Sequence, residues 1–73
     1  MKNKLKKLRL QFGLTQGELA QKLKVARPTI SNIEREIYTP SGSLMIRIAN
    51  FFGKPAEQIF FEDSVMQEEQ KII

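Results

Sequence analysis

Five polar side chains within a nine-residue stretch carry the clearest chemistry in this sequence: Arg27, Thr29, Ser31, Asn32 and Arg35. Hydroxyl and amide groups can hydrogen-bond the edges of bases, and the planar arginine fork can bind guanine or phosphate. The chain has no histidine and no cysteine, which removes the commonest general base, thiolate nucleophiles and cysteine-bound metals. The stretch therefore indicates a binding surface, and we expect neither an enzyme nor a cofactor or metal.

The net charge of +4 is distributed unevenly along the 73 residues. Residues 1–35 carry nine cationic and two anionic side chains, whereas residues 36–73 carry three and six. A basic half suits a polyanion such as nucleic acid, although a solvated lysine-rich helix would give the same composition. No apolar run exceeds three residues. We therefore expect one cytoplasmic domain that does not enter a membrane.

The hydrophobic spacing is helical almost throughout and predicts an all-α fold. The predicted helices span residues 2–12, 16–23, 27–35, 43–52 and 55–61. Residues 64–73 are polar with an apolar tip, and their pattern fits either a frayed tail or a short sixth helix. Phe12 belongs to the predicted core-facing side of the first helix. Thr15 and Glu18 have the spacing of a capping box, in which each side chain bonds the other residue's backbone N–H. Ala26 has no hydroxyl to cap the third helix, which predicts a weak helix start.

The second and third predicted helices are short and are separated by only three residues. Ala20 is a small residue at the centre of the second helix, where two steeply crossing helices would approach each other. This arrangement is typical of a helix-turn-helix, which places its second helix in the major groove of DNA. Ile30 and Ile33 would face inward and leave the polar side chains outward. Two ordinary packed helices of a small bundle would show the same spacing, so spacing alone leaves both interpretations open.

Two segments make the pattern more specific, namely residues 15–20 (TQGELA) and residues 25–35 (VARPTISNIER). With these segments the chain resembles the phage-repressor and Cro-like helix-turn-helix family, also called the xenobiotic-response-element family, from Leu5 to Phe60. The resemblance implies a compact five-helix, lambda-repressor-like domain. It also implies sequence-specific binding of double-stranded DNA, usually by a homodimer on a two-fold operator.

The resemblance assigns DNA contacts to individual positions. Base contacts would come from Arg27, Pro28, Ser31 and Asn32, and phosphate contacts from Gln16, Thr29, Arg35, Tyr38 and Lys6. Arg27 would bind guanine O6 and N7 in a bidentate contact, with a phosphate contact as the alternative. Tyr38 is either a backbone contact or a half-buried core ring, and Lys6 is otherwise part of a solvated face. Glu34 would be structural, paired with Arg9 or Arg35, because DNA would repel its carboxylate.

Four positions depart from the family pattern. Pro28 stands where the family often has a polar base reader, so readout there would be apolar, for instance against a thymine methyl group. Ala26 replaces the usual serine cap. Glu36 replaces the glycine that usually ends the recognition helix, which implies a less defined helix end and a negative charge near DNA. Gly42 replaces an apolar residue at the start of the fourth helix.

Apolar residues near the end of the chain predict an interface. Phe51, Phe60 and Phe61 are candidates for a dimer or partner surface around the fourth and fifth helices, although Phe51 and Phe60 could instead belong to the core. We expect a domain over residues 1–63 that represses transcription by operator occupancy. The alternative is an antitoxin or adaptor that uses the same fold, with residues 64–73 folding onto a protein partner.

Overall fold

Each of the five predicted helices is present in the computed structural model, which describes residues 2–61. They are α1 (Leu5–Gln11), α2 (Gln16–Leu23), α3 (Arg27–Glu34), α4 (Gly42–Phe52) and α5 (Ala56–Phe60). The all-α prediction is confirmed over this range. None of these helices has the length and apolar composition needed to cross a bilayer. The predicted domain boundary at residue 63 and the tail 64–73 lie outside the described residues.

The core draws on every helix. Its six largest fully buried side chains are Leu5, Leu19, Ile30, Ile33, Ile48 and Ile59. Two hydrogen bonds hold the start of α1 against other elements. The Lys4 backbone N–H donates to the Ile59 carbonyl at 2.9 Å, and the Asn3 side-chain amide donates to the Ile33 carbonyl at 2.9 Å. The beginning of α1 is therefore tied both to the end of α3 and to α5.

Four helices end with one residue in the left-handed conformation. Gly13 (φ 71°) and Gly53 (φ 68°) follow α1 and α4, as expected for glycine after a helix end. Lys24 (φ 60°) and Glu36 (φ 65°) take the same conformation after α2 and α3. A side chain in this region meets the following carbonyl group, at a cost of about 1 kcal/mol. Two helix ends of this small domain are therefore strained.

The end of α3 is nevertheless well formed. The Glu36 N–H donates to the Ile33 carbonyl and the Ile37 N–H donates to the Asn32 carbonyl, both at 3.0 Å. These two bonds make a complete Schellman motif. The expectation of a less defined helix end is therefore wrong, because the backbone adopts the left-handed turn even with glutamate in place of glycine.

The start of α4 lies one residue earlier than predicted. The Ser41 hydroxyl accepts a hydrogen bond from the Leu44 backbone N–H at 3.3 Å and so caps the helix. Gly42 is then the first helical residue and is exposed. The helix start is therefore capped even though Gly42 stands where the family usually has an apolar residue.

Phe12 does not occupy the core position that its spacing predicts. The helix α1 ends at Gln11, and Phe12 is 50% exposed. Its ring lies nearly perpendicular to that of Phe52 at a centroid distance of 4.8 Å, and its centroid is 6.4 Å from that of Phe51. The prediction is wrong because the helix terminates toward the left-handed Gly13, which leaves Phe12 at the rim of the core.

Candidate nucleic-acid interface

The capping box starts α2 and is confirmed. The Glu18 backbone N–H donates to the Thr15 hydroxyl at 3.0 Å, and the Thr15 backbone N–H donates to the Glu18 carboxylate at 2.8 Å. The bond from the Thr15 backbone N–H is the main cause that lowers the pKa of Glu18 below its ordinary value, and the Thr15 side chain adds to it. The helix start that carries Gln16 is therefore held by two reciprocal bonds.

Burial fixes which side of α3 faces outward. Ile30 and Ile33 are fully buried, as predicted for the inward side of the recognition helix. Ala26 makes no side-chain cap, also as predicted, and Pro28 stands in the first turn, where helical N–H groups have no partner within the helix. The polar side of α3 is consequently directed away from the core.

The predicted contact residues divide by their exposure. Of the base-contact candidates, two are exposed (Arg27 and Pro28) and two are half-buried (Ser31 and Asn32). Of the phosphate-contact candidates, three are exposed (Arg35, Tyr38 and Lys6) and two are half-buried (Gln16 and Thr29). Tyr38 is 44% exposed, so its ring is not part of the core. Its backbone N–H donates to the Asn32 carbonyl at 3.2 Å, which holds Tyr38 beside the end of α3.

Arg27 lies across the start of α2. A methyl group placed on Gly17 would be 3.8 Å from Cδ of Arg27, an ordinary van der Waals distance. The aliphatic stem of Arg27 therefore passes directly over Gly17. The Arg27 side chain therefore lies where the start of α3 meets the start of α2, the two helices of the helix-turn-helix.

A buried ion pair joins α1 to α3. Arg9 Nε donates to Glu34 Oε2 at 2.6 Å and Arg9 Nη2 donates to Glu34 Oε1 at 3.1 Å. The two side chains are 8% and 3% exposed. The hydrogen bond to Glu34 raises the pKa of Arg9, while burial acts in the opposite direction. The structural role predicted for Glu34 is confirmed, with Arg9 as its partner.

The same carboxylate holds Gln16, a contact that spacing along the chain did not predict. Gln16 Nε2 donates to Glu34 Oε1 at 3.1 Å. The amide nitrogen carries two hydrogens, so one can bond Glu34 while the other is donated elsewhere. Residues 16 and 34 lie in different helices, and only their packing brings the two side chains together.

Arg47 was also not identified from the sequence. Its guanidinium group donates to the backbone carbonyl of Leu23, the last residue of α2. A cation is favourable at this end of a helix, where the carbonyl groups lack partners within the helix. Arg47 therefore connects α4 to the helix-turn-helix. In the sequence, Arg47 is only a basic residue within the predicted fourth helix, and this gives no specific indication of its partner.

The three candidate interface rings differ in burial. Phe60 is only 5% exposed and is part of the core, the alternative that the sequence left open for it. Phe51 and Phe61 are half-buried and pack against the core from its edge. Among these three residues, Phe51 and Phe61 keep apolar surface that a second molecule could cover.

Comparison with known proteins agrees with this architecture. A family model described as helix-turn-helix matches residues 5–59. An HTH-type transcriptional regulator of Methanocaldococcus jannaschii is 53% identical over 64 residues, which cover 86% of this chain and 97% of the relative. The regulator YgzD of Bacillus subtilis is 39% identical over 61 residues, covering 84% and 92%. The immunity repressor protein of Bacillus phage phi105 is 34% identical over 67 residues, which are 92% of this chain and 46% of the repressor. The chain therefore belongs to the phage-repressor and Cro-like helix-turn-helix family of DNA-binding transcriptional regulators, which are not enzymes.

Proposed function

We propose that this protein is a repressor that occupies an operator as a homodimer, with α3 of each subunit in the major groove. The main observation behind the proposal is that Arg27 is exposed at the start of α3, while two isoleucines on the inward side of this helix are fully buried. A helix held this way presents its first turn to base edges, as recognition helices do. The phage immunity repressor among the relatives supports repression as the outcome.

Selection of bound duplexes from a random pool tests the proposal directly. A homodimer should enrich a two-fold symmetric site whose half-sites lie about 10 base pairs, or a multiple of that, apart. Placing the selected site across a promoter should reduce transcription in vitro as the protein is titrated. Failure to enrich any sequence, or binding without loss of transcription, would contradict the proposal.

Salt dependence tests the phosphate contacts. If each subunit contacts roughly four phosphates, log affinity of the dimer should fall with log salt concentration with a slope of about −7. The predicted phosphate contacts are Gln16, Thr29, Arg35, Tyr38 and Lys6. Lys6 lies three residues before Arg9, and three residues of helix place the two side chains on the same side of α1. A slope near zero on the selected site would contradict a phosphate-bound interface.

Arg27 is proposed as the main base-reading residue. Arg27→Ala should weaken binding by about 1–3 kcal/mol and relax the preference at one base pair. Equilibrium binding to the selected site and to its single-base variants measures both effects. Arg35→Ala is the matched control, because a lost phosphate contact should weaken all sequences alike. Equal weakening on every sequence by Arg27→Ala would show that Arg27 contacts phosphate.

The homodimer is proposed to form around α4 and α5 through Phe51 and Phe61. Both rings are half-buried within one chain, so further burial against a partner would stabilise the dimer. Sedimentation equilibrium should show a dimer that Phe61→Ser weakens, with a retained thermal unfolding transition as the folding control. A monomer at concentrations that saturate the operator would contradict this arrangement.

A further inference from the structure

Gly17 is a glycine that the local backbone does not require. It lies in the first turn of α2, whereas the two glycines with positive φ, Gly13 and Gly53, follow helix ends. Inside a helix, glycine is less favourable than any residue except proline. The conformation of α2 therefore gives no reason for the absence of a side chain at this position.

Two side chains border the space where a side chain at position 17 would begin, apart from those of the adjacent residues. A Cβ atom on Gly17 would lie 3.8 Å from Cδ of Arg27 and 4.0 Å from Oγ1 of Thr15. Both are ordinary van der Waals distances, so alanine would fit without moving either neighbour. A larger side chain would extend beyond Cβ into the space beside these two groups.

The two neighbours differ in how firmly they are held. The Thr15 hydroxyl accepts a hydrogen bond from the Glu18 backbone N–H at 3.0 Å and belongs to the capping box. Arg27 is exposed, and its guanidinium group makes no hydrogen bond or ion pair with any other residue of the described range 2–61. A larger side chain at position 17 would therefore displace Arg27 rather than the capping box.

The proposed base contact of Arg27 tolerates little displacement. Bidentate recognition of guanine needs two N–H groups of the planar guanidinium fork in line with O6 and N7. A hydrogen bond of about 2.9 Å is lost when the separation reaches about 3.6 Å, so a shift of less than about 1 Å removes it. The contact therefore depends on where the aliphatic stem of Arg27 lies.

We infer that Gly17 is a specificity-determining residue, because its bare backbone provides the surface on which the Arg27 stem lies. The inference rests on the proposed base-reading role of Arg27. Gly17 acts through Arg27 as a positioning residue. A side chain larger than alanine at position 17 lowers the preference at the base pair that Arg27 reads and leaves the phosphate contacts in place.

Base preference of the full chain tests the inference. Valine is suitable at position 17 because its branched side chain is stiff and because it is no less favourable in a helix than glycine. Gly17→Val should reduce the preference for the selected site over its single-base variants several-fold, whereas Gly17→Ala should keep the native preference. An unchanged preference in Gly17→Val overturns the inference.

Gly42 provides the matched control. It is the first residue of α4 and is exposed, and no side chain other than those of adjacent residues lies within 4 Å of where its Cβ would be. Gly42→Val should therefore leave the base preference unchanged. A thermal unfolding transition recorded for each variant shows that it folds. An equal loss of preference in Gly42→Val overturns the inference.

A double-mutant cycle shows whether the effect runs through Arg27. Gly17→Val in the Arg27→Ala background should cause no further change in base preference. A further change as large as in the native background overturns the inference, since Gly17 would then act without Arg27. If Arg27→Ala alone weakens every sequence alike, the proposed base-reading role fails as well. An Arg27-dependent preference that survives Gly17→Val overturns only the inference.

Discussion

Glu36 combines two unfavourable features at one residue. Its backbone is left-handed, and its carboxylate follows the end of the recognition helix. Glu36→Gly should raise the free energy of unfolding by about 1 kcal/mol, because glycine adopts this conformation without a steric cost. It should also tighten DNA binding, because a charge that repels phosphate is removed. Chemical denaturation and equilibrium binding to the selected operator measure the two effects separately.

Lys24→Gly is the matched control for this residue. Lys24 has nearly the same backbone conformation, at φ 60° against 65° for Glu36, but it carries a positive charge. The same gain in stability is expected, without a gain in affinity for DNA. If both variants bound DNA more tightly by the same factor, the effect at Glu36 would be due to the backbone and not to the carboxylate.

At the scale of the element, the start of α2 depends on an ionised side chain. The pKa of Glu18 is lowered, so the folded state holds the proton more weakly than the unfolded state. The stabilisation is therefore present above the ordinary pKa of glutamate and is lost as pH falls through the lowered value. Glu18→Gln should reduce stability at pH 7 and flatten its decrease between about pH 5 and pH 3, as measured by denaturation across that range.

Glu57→Gln provides the comparison for α2. Glu57 is exposed in the first turn of α5, where the helix has no side-chain cap. The substitution makes the same change in charge at a helix start without removing a capping-box carboxylate. Stability at pH 7 should change less than in Glu18→Gln. Identical pH profiles for the two variants would show that the capping box contributes nothing specific.

At the scale of the whole molecule, the Arg9–Glu34 pair links the first helix to the recognition helix. Arg9→Met leaves the Glu34 carboxylate buried without a cation and should cost about 3–5 kcal/mol of stability. Arg9→Met/Glu34→Leu should recover most of this loss, because apolar side chains pack without a desolvation cost. Denaturation of both variants and of Glu34→Leu completes a double-mutant cycle.

The same double variant separates stability from DNA binding. We expect this variant to fold, but it lacks the acceptor for Gln16 Nε2, which Glu34 holds at 3.1 Å in the native chain. DNA affinity should therefore stay below that of the native chain. Gln16→Ala in the double-variant background should then cause little further loss. Native affinity in the stable double variant would show that Glu34 does not position Gln16 for DNA.

The sequence by itself determined the order of the helices, the capping box of α2 and the inward side of α3. These features depend on bonds and spacings within about four residues, so local chemistry decides them. The DNA contacts assigned to positions of α3 came from the resemblance to the family, and they remain predictions. The end of α3 could not be predicted in this way. Glutamate rarely adopts the left-handed conformation, so the presence of Glu36 gave no sign of the well-formed turn that the backbone makes there.

Only the tertiary structure decided which distant groups meet. Glu34 had two candidate partners along the chain, and packing of α1 on α3 selected Arg9, which is 25 residues away. Packing also brought Gln16 to the same carboxylate, buried Phe60 and left Phe12 half exposed. Such contacts depend on the angles and distances between helices, which result from filling one shared core rather than from any local pattern.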